Sequence, residues 1–207
     1  MIADFKRLCP EGISLGYRRV EPGDARFLLA EEQRSIVTKS LPRRDQSGAA
    51  RFVARQLLAD RGMAEMAIGR APSGAPVWPQ TIVGSLAHDD MVAVAAIGSA
   101  ADYQALGVDV EPAMGLPEEI RALVRHKADR TPESAESALM DRLLFCAKEA
   151  VYKAVFPLDR VMLNYEDICV DFVKGRAETK TGRGVELVYA LNSRLWVLSY
   201  LKQRKPL

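Results

Sequence analysis

Two acidic residues, Asp109 and Glu111, stand two positions apart in the segment GVDVE at positions 107–111. In an extended strand, residues two apart lie on the same face, so the two carboxylates would repel each other unless a cation lies between them. Hard oxygen ligands at this spacing suit Mg²⁺, which usually takes one or two protein carboxylates and completes its coordination with water and phosphate oxygens. A solvated strand end is the alternative, and a lone pair of carboxylates leaves both open.

A second group of charges lies in FCAKEAVYKA at positions 145–154. Glu149 and Lys153 are four residues apart and share one helix face, where a surface ion pair would contribute only ~0.2–0.5 kcal/mol. These two residues and Lys148 nevertheless interrupt an apolar helix segment, in which unpaired charges are costly. A metal ion or a phosphate group would compensate them.

The segment GSLAH at positions 84–88 places His88 where a predicted strand meets a turn. Beside Gly84, which lets backbone N–H groups approach a ligand, this imidazole could donate to a phosphate. A packed or capping histidine is the alternative. Because the chain has only two histidines, we do not expect a histidine-based metal site.

The composition excludes several classes of protein. The chain has 207 residues, of which 48% are hydrophobic, and a net charge of +2, which is atypical of a polyanion-binding tail or a disordered chain. The length falls between one domain and two. Between positions 85 and 120 the chain has no Lys or Arg, so this acidic segment is a place to look for a cation site, with chance and surface solvation as the alternative. The carboxylates of this segment are Asp89, Asp90, Asp102, Asp109, Glu111, Glu118 and Glu119.

Cysteine usage and hydropathy indicate a cytoplasmic protein. Cys9, Cys146 and Cys169 are widely separated and form no CxxC motif, so we expect reduced thiols rather than a disulfide framework or a zinc site. The longest strongly apolar stretch, residues 91–101, is too short to span a membrane, which takes about 20 residues. Charges within the first ten residues argue against a secretory signal.

Hydrophobic periodicity predicts an α/β (α+β) fold with two long helices. The first covers residues 44–61. The second covers residues 132–155, with Thr131 as N-cap and an end at Phe156-Pro157. The segment at residues 68–80 is rich in proline and glycine and is predicted to form a loop. Strands are predicted at residues 13–20, 81–86, 91–97, 104–110, 167–173, 185–191 and 195–201.

Taken in order, these motifs resemble those of the 4′-phosphopantetheinyl transferases. GVDVE and FCAKEAVYKA resemble the two signatures of that family and have a similar spacing. WPQTIVGSLAH at positions 78–88 and RRDQSGAARFVARQLL at positions 43–58 resemble segments of the larger class that serves siderophore and nonribosomal peptide synthetases. The chain departs from the pattern at Ala87, where the family usually has serine, and in the loop that carries Arg70.

The resemblance implies a pseudo-dimer of two similar halves, residues 1–103 and 104–207, each a long helix packed on a small, mostly antiparallel sheet. Coenzyme A would lie in the cleft between them. The implied reaction is Mg²⁺-dependent transfer of phosphopantetheine from coenzyme A to a serine of an apo acyl or peptidyl carrier protein, which releases 3′,5′-ADP. A chain that supplies both halves of the cleft is expected to act as a monomer.

The resemblance also assigns roles to residues. Glu149 and Lys153 would be catalytic. The Mg²⁺ ligands would be Asp109, Glu111 and Glu149. Contacts to coenzyme A would come from Arg43, Arg51, Arg70, Ser85, His88, Lys148 and Lys153, with a structural ion pair as the alternative role of Lys148.

A basic segment at residues 121–130 is the expected docking site for a carrier protein. Carrier proteins of this family present an acidic helix, which the basic residues Arg121, Arg125, Lys127 and Arg130 would complement. No nucleic-acid module is visible. The alternatives are a Mg²⁺-dependent hydrolase of nucleotide pyrophosphates and a non-catalytic protein that binds coenzyme A or a carrier.

Overall fold

The structure is a computed structural model that describes residues 3–64, 66–133 and 137–203. The helices are α1 (Ala3–Leu8), α2 (Ala30–Ser35), α3 (Leu41–Ala59), α4 (Glu118–Val124) and α5 (Ser137–Asp159). The strands are β1 (Ser14–Arg19), β2 (Ile82–His88), β3 (Val92–Ser99), β4 (Tyr103–Pro112), β5 (Ile168–Asp171), β6 (Arg176–Thr179), β7 (Gly184–Leu191) and β8 (Arg194–Lys202). None of the helices in these ranges is long and apolar enough to cross a membrane.

The strands form two antiparallel sheets, which confirms the predicted mixture of helices and mostly antiparallel strands. The first sheet has the order β1-β3-β2 and the second has the order β4-β8-β7-β6-β5. The apolar face of α3 packs on the first sheet, where Val53 and Leu58 join Ile97 in one buried cluster. The apolar face of α5 packs on the second sheet, where Leu143 and Val151 join Val197. Each sheet therefore has its own long helix.

The predicted start of α5 is wrong. Residues 131–133 are not helical, so Thr131 is not the N-cap, and the described helix begins at Ser137. The preceding segment is held extended against β5, because Arg130 N–H donates to Val170 O and Phe172 N–H donates to Arg130 O. This pairing fixes Arg130 in an extended conformation two residues before the predicted start of the helix.

The predicted end of α5 is also wrong, since the helix continues through Pro157 to Asp159. Pro157 removes one N–H from the ladder, and only two further residues of the helix follow it. The N–H of Arg160 still donates to Phe156 O at 2.9 Å. The left-handed backbone of Arg160, with φ of 54°, then ends the helix.

Strand β6 lies outside the predicted elements. Its residues alternate between exposed and buried, with Ala177 and Thr179 facing the core. A charged, alanine-containing segment has weak intrinsic strand propensity, so pairing with β5 and β7 determines its conformation.

The glycine of GVDVE allows α5 to lie directly on β4. A Cβ added at Gly107 would overlap the backbone oxygen of Ala150. That oxygen accepts a hydrogen bond from the Ser199 hydroxyl at 2.8 Å, which ties α5 to β8 as well. The close approach places the two charged motifs opposite each other.

The two sheets share a core. Leu15 and Val94 of the first sheet belong to the same buried cluster as Val108, Trp196 and Leu198 of the second. The halves therefore pack as one molecule, and the division into residues 1–103 and 104–207 stays a prediction.

Candidate active site

Asp109 lies at the centre of the contact between β4 and α5. Its Oδ1 accepts a hydrogen bond from Lys153 Nζ at 2.7 Å, and the same ammonium group approaches Val108 O at 3.3 Å. The other oxygen, Oδ2, is buried and has no hydrogen-bond partner among the described residues. A buried carboxylate oxygen without a donor is costly, so this atom is available to a further positive group.

Glu111 meets a second cation of α5. Its Oε2 accepts a hydrogen bond from Arg142 at 2.8 Å. Burial and the negative charge of Asp109 raise the pKa of Glu111, and the hydrogen bond from Arg142 opposes this change. The two carboxylates therefore repel each other in a partly desolvated place, and each is partly compensated by one cation.

Glu149 is held by a tyrosine that follows α5. The hydroxyl of Tyr165 donates to Glu149 Oε1 at 2.9 Å. Burial, the charge of Glu149 and the hydrogen bond between them raise the pKa of Tyr165 well above its usual value. The ring of Tyr165 packs on Phe145 of the same helix, with 5.5 Å between ring centroids.

Lys148 faces away from these charges, into the interior of the C-terminal half. Its fully buried Nζ donates to Val124 O at 2.7 Å, to Asp129 Oδ2 at 2.8 Å and to Tyr165 O at 3.0 Å. An ammonium group has three protons, and each has an acceptor here. The structure therefore favours the structural ion pair over the expected assistance at the phosphates, because every proton of this ammonium group already has an acceptor.

A basic cavity of about 630 Å³ lies between α3, the loop that follows it and the end of β2. Arg51 is buried in its wall, and its Nε donates to Ile68 O at 2.7 Å. Burial lowers the pKa of Arg51 to about 10, so the guanidinium group remains charged at neutral pH. The sequence-predicted residues that line this cavity are Arg43, Arg51, Arg70 and His88.

His88 lies at the open end of β2, at the edge of this cavity. Partial desolvation by the surrounding protein and the nearby cations Lys153, Arg51 and Arg43 lower its pKa to about 4. The imidazole is therefore neutral at pH 7 in the free protein, and it can donate one N–H to an anion.

Ser85 does not line this cavity. Alternation along β2 directs Leu86 and His88 toward it and Ser85 toward β4, where the buried hydroxyl accepts the N–H of Val108 at 3.0 Å. Ser85 borders a second cavity of about 560 Å³, which Lys153 also lines. Arg70 lies between the two cavities and borders both.

A different group of potential metal ligands lies at the other side of α5. In the described parts of the chain, His126, Asp129 and Cys169 form the one group of three such side chains whose ligand atoms all lie within 4.8 Å of one another. Asp129 is the partner of Lys148, and its Oδ1 also accepts the N–H of Val170 at 2.8 Å. This carboxylate therefore has a structural role, and a buried ammonium group opposes a cation beside it. Cys9, Cys146 and Cys169 are free thiols, as the sequence predicts.

Comparison with known proteins connects this geometry to one family. Family models match residues 31–98, as a 4′-phosphopantetheinyl transferase N-terminal domain, and residues 105–200, as the 4′-phosphopantetheinyl transferase superfamily. The chain is 38% identical over 184 residues to the 4′-phosphopantetheinyl transferase Npt of Nocardia iowensis, across 87% of this chain and 82% of that protein. The chain belongs to the 4′-phosphopantetheinyl transferase superfamily.

Two further relatives of the transferase carry the same description. This chain is 36% identical over 147 residues to 4′-phosphopantetheinyl transferase PptT of Mycobacterium tuberculosis, across 70% of this chain and 65% of that protein. It is 34% identical over 152 residues to 4′-phosphopantetheinyl transferase Svp of Streptomyces mobaraensis, across 70% of this chain and 62% of that protein. The resemblance inferred from four short motifs is thereby confirmed, and the protein is an enzyme that transfers a phosphopantetheine group.

Sequence reasoning missed two residues at the site of the transferase. Arg142 precedes Glu149 by seven residues and Lys153 by eleven, so all three share one helix face, and this spacing was visible in the sequence. Tyr165 has no such signal, because only the path of the chain after α5 returns it to Glu149.

Proposed function

We propose that this transferase moves 4′-phosphopantetheine from coenzyme A to a serine hydroxyl of an apo acyl or peptidyl carrier protein, with Mg²⁺ as cofactor and release of 3′,5′-ADP. The serine oxygen forms the new bond to phosphorus as the pyrophosphate bond of coenzyme A breaks. The observation that carries this proposal is the position of Lys153, which holds Asp109 and lines the second cavity, next to the cavity lined by arginines with which that second cavity shares Arg70. Phosphoryl-type transfer depends mainly on positioning and on neutralising charge at the phosphate oxygens.

The residues at this place fit Mg²⁺. Asp109 provides a buried carboxylate oxygen without a hydrogen-bond partner among the described residues. Glu111 lies close enough to Asp109 for the two charges to repel each other. Asp109, Glu111 and Glu149 would hold the ion, as hard oxygen donors suit it. When bound, Mg²⁺ supplies positive charge to the pyrophosphate oxygens. Lys153 and Arg142 already compensate two of the carboxylates. Among the described residues the ligand atoms of the three carboxylates do not all lie within 4.8 Å of one another, so a bound ion would have to draw them together.

The arginines bind the nucleotide end of coenzyme A. Guanidinium groups bind phosphate through parallel donors, and Arg43, Arg51 and Arg70 with His88 surround one cavity of a size suited to a nucleotide. Because Arg51 is already fixed by Ile68 O, little freedom is lost when it meets an anion. Ser85 and Lys148 are not assigned to the phosphates.

Glu149 and Lys153 move the protons. Glu149, directly or through a water molecule, accepts the proton of the carrier serine as the new bond to phosphorus forms. Lys153, whose ammonium group lies against Asp109, stabilises charge on the pyrophosphate and donates to the departing 3′,5′-ADP. The two side chains share a helix face, so one substrate can reach both.

The carrier would dock on the basic residues at and after α4. Arg121 and Arg125 both donate to the buried carboxylate of Asp141 at 2.6 Å, so they hold α4 on α5 as well as presenting charge. Lys127 and Arg130 are exposed and complement an acidic carrier helix. The carriers would belong to siderophore or nonribosomal peptide synthesis. The enzyme itself would act in the cytoplasm as a monomer.

The test is incubation of the protein with coenzyme A, Mg²⁺ and an apo carrier, followed by intact-mass measurement of the carrier. We expect the carrier to gain the mass of phosphopantetheine and 3′,5′-ADP to accumulate. Release of 3′,5′-ADP without modification of any of several acyl and peptidyl carriers would indicate a pyrophosphate hydrolase instead. Tight binding of coenzyme A without turnover would indicate a non-catalytic binding protein.

Binding of coenzyme A is expected to take up a proton at His88. A bound phosphate raises the pKa of this imidazole above the value of about 4 in the free protein. Between these two pKa values the complex holds more protons than the free protein, so the affinity increases as the pH falls. Calorimetry at about pH 5.5 in two buffers of different ionisation enthalpy measures the number of protons taken up on binding.

The matched variants are His88→Gln and His126→Gln, since the chain has only these two histidines. The first should lose the proton uptake and the second should keep it. Equal uptake by wild type and His88→Gln would assign the proton to another group.

A further inference from the structure

Two consecutive residues of α5 hold the same tyrosine at opposite ends. The Nζ of Lys148 donates to the backbone oxygen of Tyr165 at 3.0 Å. The hydroxyl of Tyr165 donates to Glu149 Oε1 at 2.9 Å. Tyr165 begins a short 3₁₀ helix, Tyr165–Asp167, in the connection between α5 and β5. A side chain in such a connection is ordinarily free to move, whereas this one is fixed against α5 from both directions.

The support behind Tyr165 is rigid. Lys148 is completely buried and is itself held by Val124 O and by Asp129. The next turn is closed by Asp167, whose Oδ2 accepts the N–H of Asn164 at 2.8 Å. These contacts fix the backbone that presents the phenol, and the stacking of its ring on Phe145 fixes the side chain. A hydroxyl on such a support can hold another group in one place.

We propose that Tyr165 is a positioning residue for Glu149, and this inference rests on the proposed role of Glu149 in the transfer. A hydrogen bond to an ionised carboxylate is charge-assisted and directional. The bond from Tyr165 engages Oε1, and Oε2 accepts no hydrogen bond from the described residues. Tyr165 therefore fixes the rotamer of Glu149 and leaves one oxygen for the reacting groups. A carboxylate that turned freely would have to be ordered in every turnover, and that ordering slows the reaction.

The same geometry explains why the lysine beside Glu149 acts indirectly. Lys148 holds the segment that carries Tyr165, and Tyr165 holds Glu149. Lys148 therefore supports the carboxylate of Glu149 through Tyr165.

Tyr165→Phe tests the proposal, because it removes the hydroxyl and keeps the ring that packs on Phe145. We expect kcat to fall about tenfold at saturating substrates, while the KM for coenzyme A changes by less than about twofold. The matched control is Tyr200→Phe. The hydroxyl of Tyr200 donates to Glu186 Oε2 at the same distance, 2.9 Å, across β7 and β8. That variant should keep the kcat of the wild type.

Two further measurements separate positioning from a general structural effect. In a Glu149→Ala background, Tyr165→Phe should lower kcat no further, because the side chain that it positions is gone. Calorimetric titration of Mg²⁺ into the protein with coenzyme A should show half-saturation at a several-fold higher concentration for Tyr165→Phe and no change for Tyr200→Phe. An equal loss of kcat in both backgrounds, or wild-type kcat and Mg²⁺ binding in Tyr165→Phe, would overturn the proposal. If wild type modifies no carrier, the proposed function fails, and the Mg²⁺ titration still tests Tyr165.

Discussion

Glu149→Gln is expected to lower kcat for carrier modification by about 10²–10⁴-fold, the range associated with loss of a general base. The amide has nearly the shape of the carboxylate and can still accept the hydrogen bond from Tyr165, so the fold should be unaffected. It cannot take the proton of the carrier serine, and it is a poorer donor to Mg²⁺. The measurement is single-turnover transfer with intact-mass detection, at Mg²⁺ concentrations raised until the rate no longer increases.

The matched control is Glu166→Gln, which makes the same change at an exposed side chain next to Tyr165. That variant should keep the wild-type rate. Coenzyme A should bind to Glu149→Gln with nearly the wild-type affinity, because the arginines of the basic cavity are untouched. A rate within about threefold of wild type would remove Glu149 from the chemistry and leave it a structural residue.

Lys148→Met is expected to lower the free energy of unfolding by about 3–5 kcal/mol, as when one partner of a buried ion pair is removed. The change leaves the nearly buried carboxylate of Asp129 without its ammonium partner and the carbonyl of Val124 without a donor, whereas Tyr165 O keeps the N–H of Ile168. Urea denaturation followed by circular dichroism measures the loss.

Lys127→Met is the control, because Lys127 is exposed and lies in the segment next to Asp129. Its stability should change by less than about 0.5 kcal/mol. If Lys148→Met instead kept its stability and lost affinity for coenzyme A, the lysine would be a phosphate ligand, as the family resemblance implied. The two roles therefore give opposite patterns of stability and affinity.

The elements that position the site followed from local patterns. The helices α3 and α5 were readable because one side of each is buried. The strands β3 and β4 were readable as short apolar runs, since most of their residues are buried on both faces. The charged pairs Asp109–Glu111 and Glu149–Lys153 were readable because regular strands and helices fix which residues share a face. The start of α5 was not readable, because the partner of Arg130 in β5 lies about forty residues along the chain.

The sequence by itself determined the family, the class of fold and the carboxylates, arginines and lysine proposed to act on coenzyme A. Tertiary structure decided the roles of neighbours that the sequence could not separate. Lys148 and Glu149 are adjacent in FCAKEAVYKA, yet Lys148 binds the backbone of Tyr165 and Glu149 accepts from its hydroxyl. Ser85 and His88 lie in one short motif, yet they face opposite sides of β2. Tyr165 contacts Glu149 because the connection after α5 folds back onto the helix, and no local sequence pattern predicts this. Contacts between residues distant in sequence depend on how whole elements pack, and only the packed structure specifies them.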